Sequence, residues 1–264
     1  MARTLKSIEG LLPAVRQLRV LREVEERGSV QVRELMDHFA VSGATIRRDL
    51  DCLAERDLVL RTHGGAMARR TSTSFETNYE EKRKAFTAEK RRIAGAAEKF
   101  VLDGETVILD SGSTTFEVAR LLAERKNLTL ITNDLFIAVQ IAFDPSITVI
   151  VTGGTLREGF NTLVGPLTET FLRNVRVDHT ILSADAVDPV FGISNATFAE
   201  SSIKQLMVEA AGHVTLVADA SKFGKRALAR VCALDEVDVV VSDDTLSDAN
   251  QKALLQAATK LVLT

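Results

Sequence analysis

Apolar positions in the first quarter of the chain recur at helical spacing. Between residues 14 and 27 Val15, Leu18, Leu21 and Val24 repeat every three residues, and Pro13 stands at the first position, where a missing N–H goes unnoticed. Gly28 ends that segment. In residues 31–39 Val32, Leu35, Met36 and Phe39 form one stripe, and in residues 43–56 Ile46, Leu50 and Leu53 form another. Ala40-Val41-Ser42 is a tight connection between the two, with Ser42 placed to cap the third helix. A short extended run at residues 57–61 follows, and Thr62-His63-Gly64-Gly65-Ala66 turns the chain back.

Past the polar stretch 69–74 the pattern changes. Residues 75–100 alternate in charge, EEKRK and then AEKRRIAGAAEKF, which predicts one exposed helix stitched by side-chain pairs. Ile93, Ala96, Ala97 and Phe100 give its second half a face to bury. From there continuous apolar runs predict strands at 106–109, 128–131, 147–151, 179–183, 213–218, 237–242 and 260–263. Helical segments at 116–122, 135–142, 168–173, 198–211 and 249–257 separate most of them. Apolar strands alternating with helices predict a mostly parallel sheet covered on both faces.

The fold class is therefore two domains. Residues 1–70 form an all-α, winged helix-turn-helix domain, and residues 71–264 supply a linker helix and an α/β domain. If Ile46, Leu50 and Leu53 face inward, Thr45, Arg47, Arg48 and Asp49 lie on the other side of the third helix. Two short helices, a tight turn and early arginines fit a DNA-reading element, with the extended run as a wing along the backbone. Ser42, Thr45, Arg47, Arg48, Arg61 and His63 are the DNA-facing candidates. Arg16, Arg19 and Arg22 on the first helix read instead as a solvated face.

Composition changes this picture little. The 264 residues are 45% hydrophobic and 26% charged, the balance of an ordinary water-soluble protein. No run approaches the roughly 20 apolar residues of a membrane span. The N-terminus MARTLKSIEG lacks the apolar core of a signal peptide, so the expected location is the cytoplasm. Cys52 and Cys232 are single and far apart, which predicts buried reduced thiols. The net charge of −3 hides an asymmetry: residues 1–92 sum to +5 and the remainder to −8, as suits a nucleic-acid module on an acidic body.

Ligands of open α/β sheets bind beyond the carboxyl ends of the strands, where this chain places its small polar clusters. Ser111-Gly112-Ser113-Thr114-Thr115 follows Asp110 and one strand, then opens a helix. Its N–H groups and hydroxyls at a helix start suit an anion, more than capping alone requires. It lacks the Gly-Lys-Ser/Thr of a nucleotide-hydrolysing loop. Asn133 (with Thr132), Gly153 (with Gly154), Asp185 and Lys222 (after Asp219) end other strands and converge on the same rim. Glu200 and Lys204, four apart on one helix, read equally well as an ordinary helix pair. His38, His63, His179 and His213 are scattered without ligand spacing, so neither metal nor cofactor is expected.

VSGATIRRDL followed by an apolar run and RTHGGA resembles the N-terminal signature of the DeoR-type bacterial transcriptional regulators. Gly43-Ala44 stands where a bulkier pair is common. DSGSTT, LITND, VTGGTL, VGPL and ADASKF resemble, in order, the sensor domain of the same family, itself similar in scaffold to sugar-phosphate isomerases. The resemblance implies a repressor of sugar or polyol catabolism genes that binds double-stranded operator DNA and is relieved by a phosphorylated sugar or polyol. It implies effector contacts from Asp110, Ser111, Gly112, Ser113, Thr114 and Thr115, joined by Asn133, Gly153, Asp185 and Lys222. Ala186 stands where the family usually has glycine. Readout of two half-sites implies a homodimer or homotetramer. A second reading is a sugar-phosphate isomerase with an accessory N-terminal module, Asp185 or Asp188 serving as base and Lys204 or Lys222 as electrophile.

Overall fold

In the computed structural model, residues 13–27, 29–55, 58–62, 64–68, 79–157, 159–257 and 260–264 are described. The chain divides into two compact units, Met1–Ser72 and Thr73–Thr264.

The first unit packs α1 (Pro13–Arg27), β1 (Ser29–Gln31), α2 (Val32–Phe39), α3 (Gly43–Glu55), β2 (Val59–Arg61) and β3 (Gly65–Ala68) around one core. Val24, Leu35, Phe39, Ile46, Leu50, Leu53 and Val59 fill it. Among the described side chains of α1, Val20 and Val24 are buried, while Leu18 is 66% exposed. A strict three-residue step drifts about 60° per step around a helix, so positions 15 to 24 cannot share one face. Ala40, at φ 53°, ends α2 in the left-handed region. Ser42 Oγ then accepts the Thr45 N–H at 3.2 Å and starts α3. The wing is a three-stranded antiparallel sheet in the order β1-β3-β2. At three residues, β1 was too short to show a period in the sequence. Gly65 is demanded there, because a Cβ would lie 1.9 Å from the Val30 carbonyl oxygen.

The described part of the second unit begins with two helices, α4 (Tyr79–Lys84) and α5 (Thr87–Ala97), where one continuous helix was expected. Phe86, at φ 53°, breaks it. The expected residues 75–78 lie outside the described residues. Then follow β4 (Thr106–Leu109), α6 (Ser113–Leu122), β5 (Thr129–Thr132), α7 (Leu135–Gln140), β6 (Thr148–Val151), β7 (Thr155–Leu156), β8 (Leu163–Val164), α8 (Pro166–Arg173), β9 (Val177–Leu182), β10 (Ala186–Asp188), β11 (Gly192–Asn195), α9 (Phe198–Ala210), β12 (Ala211–Val217), β13 (Ala229–Cys232), β14 (Val239–Ser242), α10 (Asp248–Gln256) and β15 (Lys260–Leu263).

Seven strands form one parallel sheet in the order β15-β14-β12-β9-β4-β5-β6. Both faces are covered: Val107 and Leu109 pack with Ile93, Val118 and Leu122 on one side, and Ile108 packs with Ile203 and Met207 on the other. The order reverses between β4 and β9, so the chain leaves the sheet in opposite directions there and opens a crevice. Within residues 183–195, to which the sequence pattern assigned no element beyond the strand end at 183, β10 and β11 form and join β13 in a small antiparallel sheet. Cys232 is buried and Cys52 half-buried, both free.

Candidate functional site

On α3, Arg47 and Arg48 are exposed and enter no ion pair among the described residues. Thr45, half-buried, meets the exposed Ser42 hydroxyl to hydroxyl at 2.9 Å. Asp49 departs from the expectation that it shares their outward side. It is 1% exposed and pairs with Arg16 of α1, Nε to Oδ2 at 2.5 Å and the second nitrogen to Oδ1 at 3.0 Å. One residue past Arg48 the helix has turned about 100°, which carries Asp49 towards α1. Arg16 is thus no solvated residue, and its hydrogen bond to Asp49 raises it above the ordinary arginine value. Arg61, a DNA-facing candidate, donates to Asp51 at 2.7 Å and to the Gly65 carbonyl. It ties the wing to α3. His63 lies outside the described residues.

In the second unit a small pocket opens at the reversal between β4 and β9. Ser111, Gly112, Ser113, Thr114, Asp185 and Lys222 line it, as the sequence suggested. Four other candidates do not. Asp110 is buried beneath the pocket, where it accepts from the Ser183 N–H (2.8 Å) and hydroxyl (2.7 Å) and pairs with Lys204. That tie joins β4, the end of β9 and α9. Thr115 is fully buried and donates to the Gly112 carbonyl at 2.8 Å. Asn133 donates to the Leu163 carbonyl at 3.1 Å, and Gly153 accepts from Thr168 at 2.6 Å. These last two brace the strand ends.

The lining also holds residues that sequence reasoning missed or read otherwise. Lys82 of α4 pairs with Asp185 at 2.8 Å and lies over the Phe160 ring. Burial alone would raise Asp185, but the Lys82 charge and hydrogen bonds from Lys82 and Ala196 hold it at about 2. Lys90 of α5, expected on an exposed helix, is 4% exposed and donates to the carbonyls of Lys82 and Ala85. Burial pushes it down to about 8, the neighbouring Lys222 and Lys82 adding to the effect against Asp219. Its signal was legible: Lys90 shares the face of Ile93, Ala94 and Ala97, so a lysine interrupts a buried stripe. Lys82 and Asn195 carried no such signal.

Glu200 and Lys204 both find partners off their helix, Arg157 at 2.8 Å and Asp110 respectively. Ser111 donates to Asp134 at 3.1 Å, and burial raises that carboxyl to about 6 against the hydrogen bonds it accepts. Asp188 accepts two backbone N–H groups of its own turn, pairs with Arg226 at 3.0 Å and does not line the pocket. An isomerase base needs a pKa near working pH. Asp185 at about 2 is poorly suited to that task. Among the described residues no cluster of three metal-ligating side chains occurs, and no helix is long and apolar enough to cross a membrane.

Comparison with known proteins gives this geometry a setting. Residues 16–72 match the DeoR-like helix-turn-helix domain, and residues 85–244 match the DeoR C terminal sensor domain. The transcriptional regulator GlpR of Haloferax volcanii is 37% identical, over 94% of this chain and 96% of that protein. The glycerol-3-phosphate regulon repressor of Escherichia coli K12 is 35% identical, over 85% and 88%. The transcriptional repressor AccR of Agrobacterium fabrum is 36% identical, over 86% and 88%. Among solved structures, ribose 5-phosphate isomerase from Plasmodium falciparum overlaps 52% of each chain at a TM-score of 0.36 and 16% identity, a likeness that says nothing of activity. The signature helix with its outward arginines, the wing and the sensor sheet meet in one conclusion: the chain belongs to the DeoR family of helix-turn-helix transcriptional regulators.

Proposed function

We propose that this regulator represses genes of sugar or polyol catabolism and releases its operator when a phosphorylated sugar or polyol occupies the pocket of the second unit. The observation that carries the reading is the pocket wall. The start of α6, with the Ser113 and Thr114 hydroxyls, shares one cavity with the amines of Lys82, Lys90 and Lys222. Helix N–H groups, hydroxyls and ammonium groups together suit a dianionic phosphate. The name of the Escherichia coli relative, a glycerol-3-phosphate regulon repressor, supports the same chemistry. Arg47 and Arg48 read the DNA, Ser42 and Thr45 frame the start of their helix, and the protein acts as at least a dimer on paired half-sites.

A ligand that binds only the folded state stabilises it by RT ln(1 + [L]/Kd), about 2.7 kcal/mol at a hundredfold excess. The matching sugar phosphate therefore raises the melting temperature, and the unphosphorylated sugar does not. Release also needs a ligand that prefers the state that binds DNA less well, since equal affinity for both shifts nothing. Replacing Ser113 and Thr114 by bulky or acidic residues abolishes both the shift and the release while DNA binding persists. A panel of phosphorylated sugars and polyols without effect, beside a neutral metabolite that shifts wild type and variant alike, overturns the reading.

A further inference from the structure

α4 is fastened by groups that belong to the pocket. Lys82, in its last turn, pairs with Asp185 at 2.8 Å. The ammonium of Lys90 donates to the carbonyls of Lys82 and Ala85, at 2.7 Å to the second, and so caps the end of α4. The Ser113 hydroxyl donates to the same Lys82 carbonyl at 3.4 Å. Lys82, Asp185, Lys90 and Ser113 all line the pocket. The apolar seat of α4 is one ring. Tyr79, 5% exposed, meets Phe136 of α7 edge-on at 5.4 Å between centroids, and the Arg83 guanidinium lies over the same ring at 4.9 Å. Phe136 does not line the pocket, but its N–H donates to Asp134, whose other carboxylate oxygen accepts from the pocket residue Ser111. Between α4 and α5, Phe86 holds φ 53°, a left-handed conformation that a bulky residue keeps only where its surroundings impose it.

We propose that α4 is a displaceable strap: a ligand in the pocket takes the Lys82, Lys90 and Ser113 donors from it, α4 leaves its seat on Phe136, and the released state is the one that binds DNA less well. This rests on the reading of the pocket as the effector site and adds how its occupation is passed on. Ligand and strap use the same N–H and O–H groups, so the ligand binds the released state better, and that difference in affinity moves the equilibrium. Release also frees Phe86 from its left-handed φ, which makes the corner between α4 and α5 the hinge. α4 is the first described element after the boundary between the two units, so along the chain it is the described element of the sensor nearest the DNA-binding unit.

Tyr79 is the chain's one tyrosine, and the chain has no tryptophan. Tyrosine emission from the full-length protein therefore reads α4 alone. Calorimetry fixes the affinities of glycerol 3-phosphate, fructose 1-phosphate and inorganic phosphate, and acrylamide quenching is then measured with and without the tightest binder at saturation. The expected result is a severalfold rise in the quenching constant. A constant that stays or falls means a ligand lying beside a docked Tyr79, which overturns the strap and leaves the effector site standing. In a second arm Phe136→Ala removes the seat without touching the pocket lining and shifts two affinities in opposite directions. Operator binding weakens about fivefold, and binding of the same phosphate probe tightens about fivefold. A merely structural loss weakens both, and that outcome, or two wild-type affinities, also overturns the strap. Arg83→Met removes only the charge over the ring, gives the same opposed shifts in smaller measure, and decides should Phe136→Ala fail to fold. If neither ester nor inorganic phosphate binds, the effector-site reading falls and the strap with it.

Discussion

Raising the pH from 7 to 9 weakens binding of a phosphate ester about tenfold, and Lys90 is the reason. Its amine lines the pocket, lies buried and titrates at about 8, below the ordinary 10.5. A bound dianion supplies the counter-charge that burial has withheld and returns Lys90 towards its ordinary value. Between those two values the complex holds more protons than the free protein, so affinity falls as pH rises. With the free group at 8 and the bound group near 10.5, binding at pH 8 takes up about half a proton. The stability of the unliganded protein runs the other way. Its folded pKa lies below the unfolded one, so the unfolded chain binds more protons from pH 8 to 10.5 and stability increases across that window. Below pH 7 the ligand's own second ionisation, near 6, sets an opposite limb. Calorimetry from pH 6.5 to 9.5, in buffers of different ionisation enthalpy, reads the affinity and the proton uptake together. Lys90→Met flattens the decline above pH 7.5. An unchanged wild-type affinity between pH 7 and 9, or the same decline in Lys90→Met, refutes the reasoning.

Three further predictions concern other parts of the molecule. Arg47→Ala and Arg48→Ala each weaken operator binding: loss of a base contact costs about 1–3 kcal/mol and relaxes preference at one position. Loss of a phosphate contact lowers affinity for every sequence and the salt slope by about one, so gel shifts over a salt series separate the two, and wild-type binding by both variants would show that α3 is not the reading helix. Arg16→Met leaves the Asp49 carboxylate buried without its cation, at a cost of about 3 kcal/mol in urea unfolding, whereas the double variant Arg16→Met with Asp49→Leu recovers most of it; equal stability of single and double variants counts against the pair. His179 is buried, bonded to Thr215 at 2.9 Å and stacked edge-on to His213, and its burial, aided by the charge of His213, holds it down to about 4. The unfolded chain takes the proton first, so stability present above pH 6.5 is lost as pH falls towards 4, about 2 kcal/mol by pH 5, and His179→Gln removes that slope in urea unfolding.

Much of this molecule was legible along the chain. Ile46, Leu50 and Leu53 announced α3 and its buried face, which left Arg47 and Arg48 outside. Apolar runs such as 106–109 announced strands buried on both faces, and the polar clusters at their ends marked the rim where Ser111, Gly112, Ser113, Thr114, Asp185 and Lys222 do meet. Such features are local, because a helix or strand period and a helix-opening hydroxyl depend on neighbours within a few residues. Only the tertiary structure decided which polar groups pair. Asp110 meets Lys204 across 94 residues, and Lys82 meets Asp185 across 103. The first pair thereby becomes a tie beneath the pocket and the second part of its wall. Asp49 and Asp51, two residues apart on one helix, receive Arg16 from α1 and Arg61 from the wing. Periodicity says which side of an element is buried, but charges pair with whatever the sheet order and helix packing bring within about 3 Å. That order is a property of the whole fold, and no local stretch of the chain contains it.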